Sequence, residues 1–345
     1  MSIILKLLRD QKRFNKLFLF LSNFENNFFQ IDRLKIKNPV FICGMARSGT
    51  TFLTHLLDSS NYFGTFKYKY LPFYKTPIFW NYINNLFYLS KKKRQRLHGD
   101  NLKVNINSPD SFEELIWKNF LKDYDLKGYW QKVEYDEFSD LSKNLELFIK
   151  KIIHINKVDR YLSKNNNNIF RIKYLLKKFP DSKIVVVIRN PVDLAFSSAK
   201  VHLKFLKYHK TIKNFSEELS ELGHYEFGFQ RKMFDLTGGK SLNPQNIRFK
   251  TINLYLERYL DLLNFISKNY SKEIEDKKIV ILNYDNLKKI NDLSKLFQFL
   301  NIDLNEDMKS YFDSNFVLNT YQRNEKFKKK IIMQEFINLS KYSIV

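Results

Sequence analysis

Short runs of consecutive apolar residues alternate along this chain with longer stretches whose apolar positions recur every three or four residues. The runs at 39–43, 184–188 and 278–282 are rich in Val and Ile and bounded by polar residues, which predicts strands buried on both faces of a parallel sheet. Helical spacing follows the first run, at Phe52, Leu53, Leu56 and Leu57. It recurs within 141–179, around LELFIKKIIHI and IFRIKYLLKKF, then over 251–268 (Leu254, Leu256, Tyr259, Leu260, Leu263) and at 292–300. Residues 1–38 read as a helical lead-in. Residues 61–130 are irregular and aromatic-rich, and 211–250 form a polar excursion containing Gly238 and Gly239. No internal repeat is present. The alternation predicts an α/β fold with a central parallel sheet flanked by helices on both faces.

Composition sharpens this picture. A length of 345 residues suffices for one large domain with a sizeable core, and 44% hydrophobic residues exclude a disordered chain. The one cysteine, Cys43, allows no disulfide within the chain; this suits a reducing compartment and makes the cytoplasm the expected location. The first 24 residues hold two short apolar runs broken by Lys6, Arg9, Lys12, Arg13 and Lys16, too short for the roughly 18 apolar residues of a membrane span. They read either as an amphipathic helix packed on the domain or as a basic helix lying peripherally at an anionic inner membrane face. The net charge of +23 invites a nucleic-acid partner. It carries little weight, because 46 lysines stand against 13 arginines amid abundant Asn, Ile, Phe and Tyr, a composition bias without a recognisable binding motif. The expectation is therefore no nucleic acid, with the charge steering anionic ligands.

Candidate chemistry starts at Gly44–Thr51, GMARSGTT, between the first strand and a helix. Strand, glycine loop and helix N-terminus form a setting for a phosphate, and the spacing is that of a P-loop. Thr50 stands where the phosphate-binding lysine of an ATPase would be, and Arg47 supplies a charge inside the loop. The 184–188 run ends in Arg189-Asn190-Pro191, with Ser197 and Ser198 on a predicted helix, so Arg189 falls at the carboxyl edge of the sheet. On the residues alone, a P-loop nucleotide kinase or ATPase and a basic nucleic-acid-binding protein stay open.

GMARSGTT resembles the 5′-phosphosulfate loop, and FPDSKIVVVIRNPVDLAFSS the 3′-phosphate segment, of sulfotransferases that use 3′-phosphoadenosine 5′-phosphosulfate (PAPS). The resemblance covers roughly residues 39 to 330, with weaker anchors at RLHGDNLKVNINSPDSFEELIW, YLSKNNNN and IVILNYDNL. It points to the bacterial group related to tyrosylprotein sulfotransferases. It implies a P-loop-like three-layer fold, with 1–38 as lead-in, 39–345 as one sulfotransferase domain and 61–130 on the acceptor side. It also implies PAPS as co-substrate, no metal, and in-line transfer to a hydroxyl, expected on a glycan or glycolipid.

By the same resemblance, Arg47, Ser48, Gly49, Thr50 and Thr51 would hold the 5′-phosphosulfate, and Arg189 and Ser197 the 3′-phosphate. Arg323, in Tyr321-Gln322-Arg323, would close over the nucleotide. Lys164 would lie at the bridging oxygen, where charge builds on the leaving phosphate. The family's acidic residue after the first helix is missing: Tyr68-Lys69-Tyr70-Leu71-Pro72 offers Lys69 for the family arginine and Tyr70 for the acid. His98, with Asp100 to fix its tautomer, is the first candidate for the general base, and Glu113, beside Glu114, the second. A PAPS-binding relative without activity stays open for the same reason.

Overall fold

The computed structural model describes residues 2–86, 93–99, 102–121, 133, 135–232, 251–318, 320 and 330–345. Seven strands are found among them: β1 Val40–Cys43, β2 Gly64–Thr65, β3 Arg94–Gln95, β4 Lys103–Val104, β5 Tyr161–Lys164, β6 Lys183–Ile188 and β7 Ile279–Asn283. Five form a parallel sheet in the order β2-β5-β1-β6-β7, while β3 and β4 pair as a small antiparallel ribbon. The three strands expected from apolar runs are β1, β6 and β7. Strand β5 is not among the expected strands: it lies between the two helical patterns of 141–179, and YLSK is too short and too polar to stand out.

Alternate residues of each strand enter opposite cores, as the two-residue side-chain period requires. Phe41, Cys43, Ile184, Val186, Ile188, Ile279 and Ile281 join one apolar cluster, and Val40, Ile42, Val185, Val187, Val280 and Leu282 the other. Helices cover both faces, giving the three layers expected. On one side lie α3 Thr50–Asp58, Ser294–Leu300 and Glu306–Asn315; on the other lie Asp140–Asn156, Pro191–Thr211 and Thr251–Glu275. Burial on both faces explains why β1, β6 and β7 read as continuous apolar runs.

Register decides where the chemistry sits. Ile42 of β1 lies opposite Lys164 of β5 on one side and Val185 of β6 on the other. The loop after β1, the end of β5 and the end of β6 therefore open at one edge of the sheet. This is the carboxyl edge where ligands of open α/β folds bind.

The lead-in forms α1 Ser2–Arg13 and α2 Asn15–Phe28. Leu8 is buried in the main core, and the Gln11 amide donates to Pro72 O at 2.7 Å, so α1 packs on the domain. Helix α2 is anchored by the buried pair Glu25–Lys151 at 2.9 Å. No described helix is long and apolar enough to cross a membrane.

Candidate functional site

The loop between β1 and α3 is shaped by two unusual backbone positions. Gly49, at φ 108°, caps α3, and a β-carbon there would fall 2.3 Å from the Tyr284 ring. Arg47 adopts φ 77°, a left-handed conformation that costs a side-chain-bearing residue about 1 kcal/mol or more. Alternation of right- and left-handed residues turns successive N–H groups to one side, as in phosphate-binding nests. The first N–H groups of α3 have no partner within the helix, and the residues that carry them, Thr50 to Phe52, line a cleft. The Ser48 hydroxyl is buried and has no hydrogen-bond partner among the described residues. Each of these features fits an anionic oxygen better than it fits a plain turn.

The second segment meets this loop directly. Asn190 caps the helix Pro191–Thr211 by accepting from the N–H of Val192 at 3.1 Å, and Pro191 occupies the first turn, where its missing N–H is harmless. That fixes Arg189 at the sheet edge. Its N–H donates to the Tyr259 hydroxyl at 2.9 Å, and the Asn190 N–H donates to Asp285, just beyond β7. The Arg189 Nη1 donates to Arg47 O at 3.2 Å, and Arg47 Nε donates to Ser197 Oγ at 3.1 Å. A cleft of about 70 Å³ runs between them, lined by Arg47, Gly49, Thr50, Thr51, Arg189 and Tyr284 among others.

A second cleft of about 40 Å³ continues on the other side of the loop. It shares Arg47, Thr50 and Thr51 with the first and adds Arg96, His98, Asp110, Lys164, His224 and Glu226. Lys164 Nζ lies 3.6 Å from Asp110 Oδ1, and Arg96 Nη2 lies 3.1 Å from Asp110 Oδ2. Burial alone would raise the Asp110 pKa. Arg96, Lys164 and His224, together with the Ser111 N–H, hold it well below the usual carboxylate range. Asp110 therefore stays charged and makes a poor proton acceptor. Burial, with Arg96 adding to it, draws Lys164 below the usual lysine range, against the pull of Asp110 and Glu226.

The residues singled out from the sequence thus separate. Arg47, Gly49, Thr50, Thr51 and Arg189 line one opening, Ser197 accepts from Arg47 beside it, Ser48 is buried within the loop, and Lys164 and His98 line the adjoining cleft. Glu113 is not brought there. It is buried away from the opening, accepting from Trp117 Nε1 and the Tyr161 hydroxyl, each at 3.0 Å. Glu114 is held by both terminal nitrogens of Arg171, at 3.0 and 2.6 Å, and by Asn165 at 2.6 Å. Both carboxylates are core anchors. Arg323 and Asp100 lie outside the described residues. Tyr70 is buried in the main core, and Arg96 and Asp110, rather than Lys69 and Tyr70, line the cleft.

Among the lining residues that escaped the sequence reading are four of the second cleft with ionisable side chains, Arg96, Asp110, His224 and Glu226. Arg96 and Asp110 lie within the segment RLHGDNLKVNINSPDSFEELIW, but nothing local pairs Arg96, just after β3, with Asp110, six residues beyond β4. Glu226 accepts from Asn166 Nδ2 at 3.3 Å and faces His224 Nδ1 at 3.9 Å; it carries no local signal at all.

A model of the sulfotransferase family matches residues 39–237. The chain belongs to the sulfotransferase family. Over 188 residues this family member is 26% identical to the omega-hydroxy-beta-dihydromenaquinone-9 sulfotransferase Stf3 of Mycobacterium bovis and, equally, to that of Mycobacterium tuberculosis. Each match covers 50% of this chain and 47% of the relative, so the chain spans about half the length of the curated relatives it matches. Among solved structures, sulfotransferase STF1 from Mycobacterium tuberculosis H37Rv superposes with a TM-score of 0.55 at 12% identity, over 92% of this chain and 82% of that one. STF9 from Mycobacterium avium gives 0.55 at 14% identity, over 93% and 80%. These two likenesses establish the P-loop-like sulfotransferase fold.

Proposed function

We propose that this member of the sulfotransferase family moves the sulfuryl group of PAPS to a hydroxyl. The observation that carries the reading is the direct contact between its two anion-binding segments, Arg47 Nε to Ser197 Oγ and Arg189 Nη1 to Arg47 O. One ligand with phosphates at both ends of a nucleoside fits that arrangement, with the 3′-phosphate at Arg189 and Ser197 and the 5′-phosphosulfate at 47–51. The bidentate geometry of arginine suits both ends. In the transfer, the acceptor oxygen forms a bond to sulfur as the bond from sulfur to the bridging oxygen breaks. Products are a sulfate ester and adenosine 3′,5′-bisphosphate. Arg47 and Lys164 offset the charge on the transferring and leaving oxygens.

The acceptor's proton goes to His98, which lines the cleft beside Lys164. The His224–Glu226 pair favours a second assignment, with the carboxylate holding the imidazole as base. Loss of turnover in His224→Ala but not in His98→Ala would move the role there.

The relatives' name specifies a hydroxylated lipid, and on that ground a lipid or glycolipid hydroxyl is favoured over a bare glycan. Leu17, Phe20, Phe24 and Phe28 lie exposed along one side of α2, next to the basic Arg13 and Lys16, which supports peripheral contact with an anionic bilayer. Unchanged co-sedimentation of Phe20→Ser/Phe24→Ser protein with anionic vesicles would remove that contact.

The donor is tested by titration calorimetry. Adenosine 3′,5′-bisphosphate should bind far more tightly than ATP or AMP, without magnesium. Equal or tighter ATP binding, or a strict magnesium requirement, returns the site to the kinase class.

A further inference from the structure

An apolar cavity opens beside the reaction cleft and is lined by none of the residues assigned to the donor. It measures about 250 Å³ and shares Arg96, His98, Asp110 and His224 with the cleft that holds Lys164. Beyond those four residues its walls are mostly hydrocarbon: Phe112 and Phe205 from the core, Phe215, Leu219 and Leu222 from the helix Phe215–Glu221 and its end, and Leu8 of α1. Gln95, Glu218 and Tyr68, whose hydroxyl donates to Asp110 at 3.1 Å, are the other polar lining residues. The four residues shared with the cleft mark the side of the cavity toward Lys164, and Glu218, on the helix that carries Phe215 and Leu219, is the one carboxylate among the remaining lining residues.

This lining selects a class of acceptor. A sugar seated there would bury several hydroxyls against Phe and Leu side chains, each left without a partner at a cost of about 1–3 kcal/mol. A hydrocarbon chain incurs no such penalty and gains from every methylene taken out of water. We infer that the cavity is the hydrocarbon site of the acceptor. The substrate then carries its reactive hydroxyl at the end of an apolar chain, with the hydroxyl at His98 and His224 and the chain running between Leu8 and Leu219. This inference rests on the sulfuryl-transfer reading for the hydroxyl's fate, and on the cavity alone for the chain. It also gives α1 a part in the site, since Leu8 comes from the lead-in.

The test is equilibrium binding of primary alkan-1-ols of four to ten carbons, by calorimetry, with and without saturating adenosine 3′,5′-bisphosphate. Affinity should rise about fourfold per added methylene until the cavity is full, the equivalent of about 0.8 kcal/mol each. Inositol should not bind. Leu219→Trp fills the cavity and should abolish the chain-length gain while leaving bisphosphate affinity unchanged; Leu222→Trp serves the same purpose if the first variant does not fold. A flat alkanol series overturns the inference, as does an undiminished gain in a folded tryptophan variant. If the bisphosphate does not bind but the chain-length gain persists and falls in Leu219→Trp, the hydrocarbon site stands and the donor reading falls.

Discussion

The two sides of the reaction cleft are built on different principles. The donor side is made of consecutive residues: a strand, a glycine loop and a helix N-terminus, then a strand, an arginine and a capped helix. Each piece is complete within about ten residues, and parallel pairing of β1 with β6 sets the two side by side. The acceptor side is assembled from scattered single residues. Arg96 comes from just after β3, Asp110 from just after the Lys67–Pro109 bridge, Lys164 from a strand end, and His224 and Glu226 from the stretch after a short helix. On the proposed reading, the donor side recognises one fixed molecule through backbone geometry. The acceptor side places side chains on connecting segments, where loops tolerate change and specificity is readily altered.

The comparison is sharpest at Lys164, which sits in register with β1 yet faces the acceptor cleft. Replacing it with Met keeps its volume, and Arg96 still neutralises Asp110. Turnover should fall about 10²–10³-fold, while bisphosphate affinity measured by calorimetry should barely move. A parallel loss of affinity would place Lys164 on the donor side instead.

His55 ties the two sides together. It lies on α3, and its Nε2 is 3.0 Å from Pro109 O, next to Asp110. A carbonyl can only accept, so Nε2 carries a proton. Burial, reinforced by Arg96, lowers its pKa from 6.5 to about 4. Below pH 6.5 the unfolded chain takes up a proton that the folded protein refuses. Stability should therefore decline between pH 6.5 and about 4, by about 3 kcal/mol in total. Urea melts across this range check it. His55→Gln, which keeps a donor for Pro109, should flatten this part of the profile, and an equally steep variant would exclude His55 as its source.

Arg189→Ala tests the donor side by itself. Losing a charge-assisted contact should weaken adenosine 3′,5′-bisphosphate binding by about 1.5–3 kcal/mol. Adenosine 5′-phosphosulfate, which has no 3′-phosphate, should be nearly indifferent. Equal losses for both ligands would mean that Arg189 serves the 5′ end.

The smallest effect is expected at Glu113. Glu113→Gln keeps a carbonyl for Trp117 or Tyr161 and should cost about 1 kcal/mol of stability in a thermal melt. The turnover of the folded enzyme should be unchanged. A large loss of turnover at normal stability would bring Glu113 back as the base.

Legibility followed the same division. Arg47 and Arg189 could be placed at the carboxyl edge of the sheet from sequence because strand, loop and cap are local rules, and the resemblance added Ser197, which accepts from Arg47. Glu113 could not be separated from a catalytic carboxylate, because a local pattern does not reveal that Trp117 and Tyr161 will saturate it. Strand β5 escaped for a related reason. Its four residues gain their conformation from β1 and β2 on either side rather than from their own propensity.

By itself, the sequence determined the alternation of buried strands and helices, the phosphate loop with its arginine, and the second arginine at a strand end. These depend on side-chain period, glycine backbone freedom and helix capping, all of which act over a few residues. Only the tertiary structure decided that Arg96, Asp110, Lys164, His224 and Glu226 share one cleft, that Glu113 belongs to the core, and that an apolar cavity opens behind His98. Those outcomes depend on strand register and on packing between segments tens to more than a hundred residues apart.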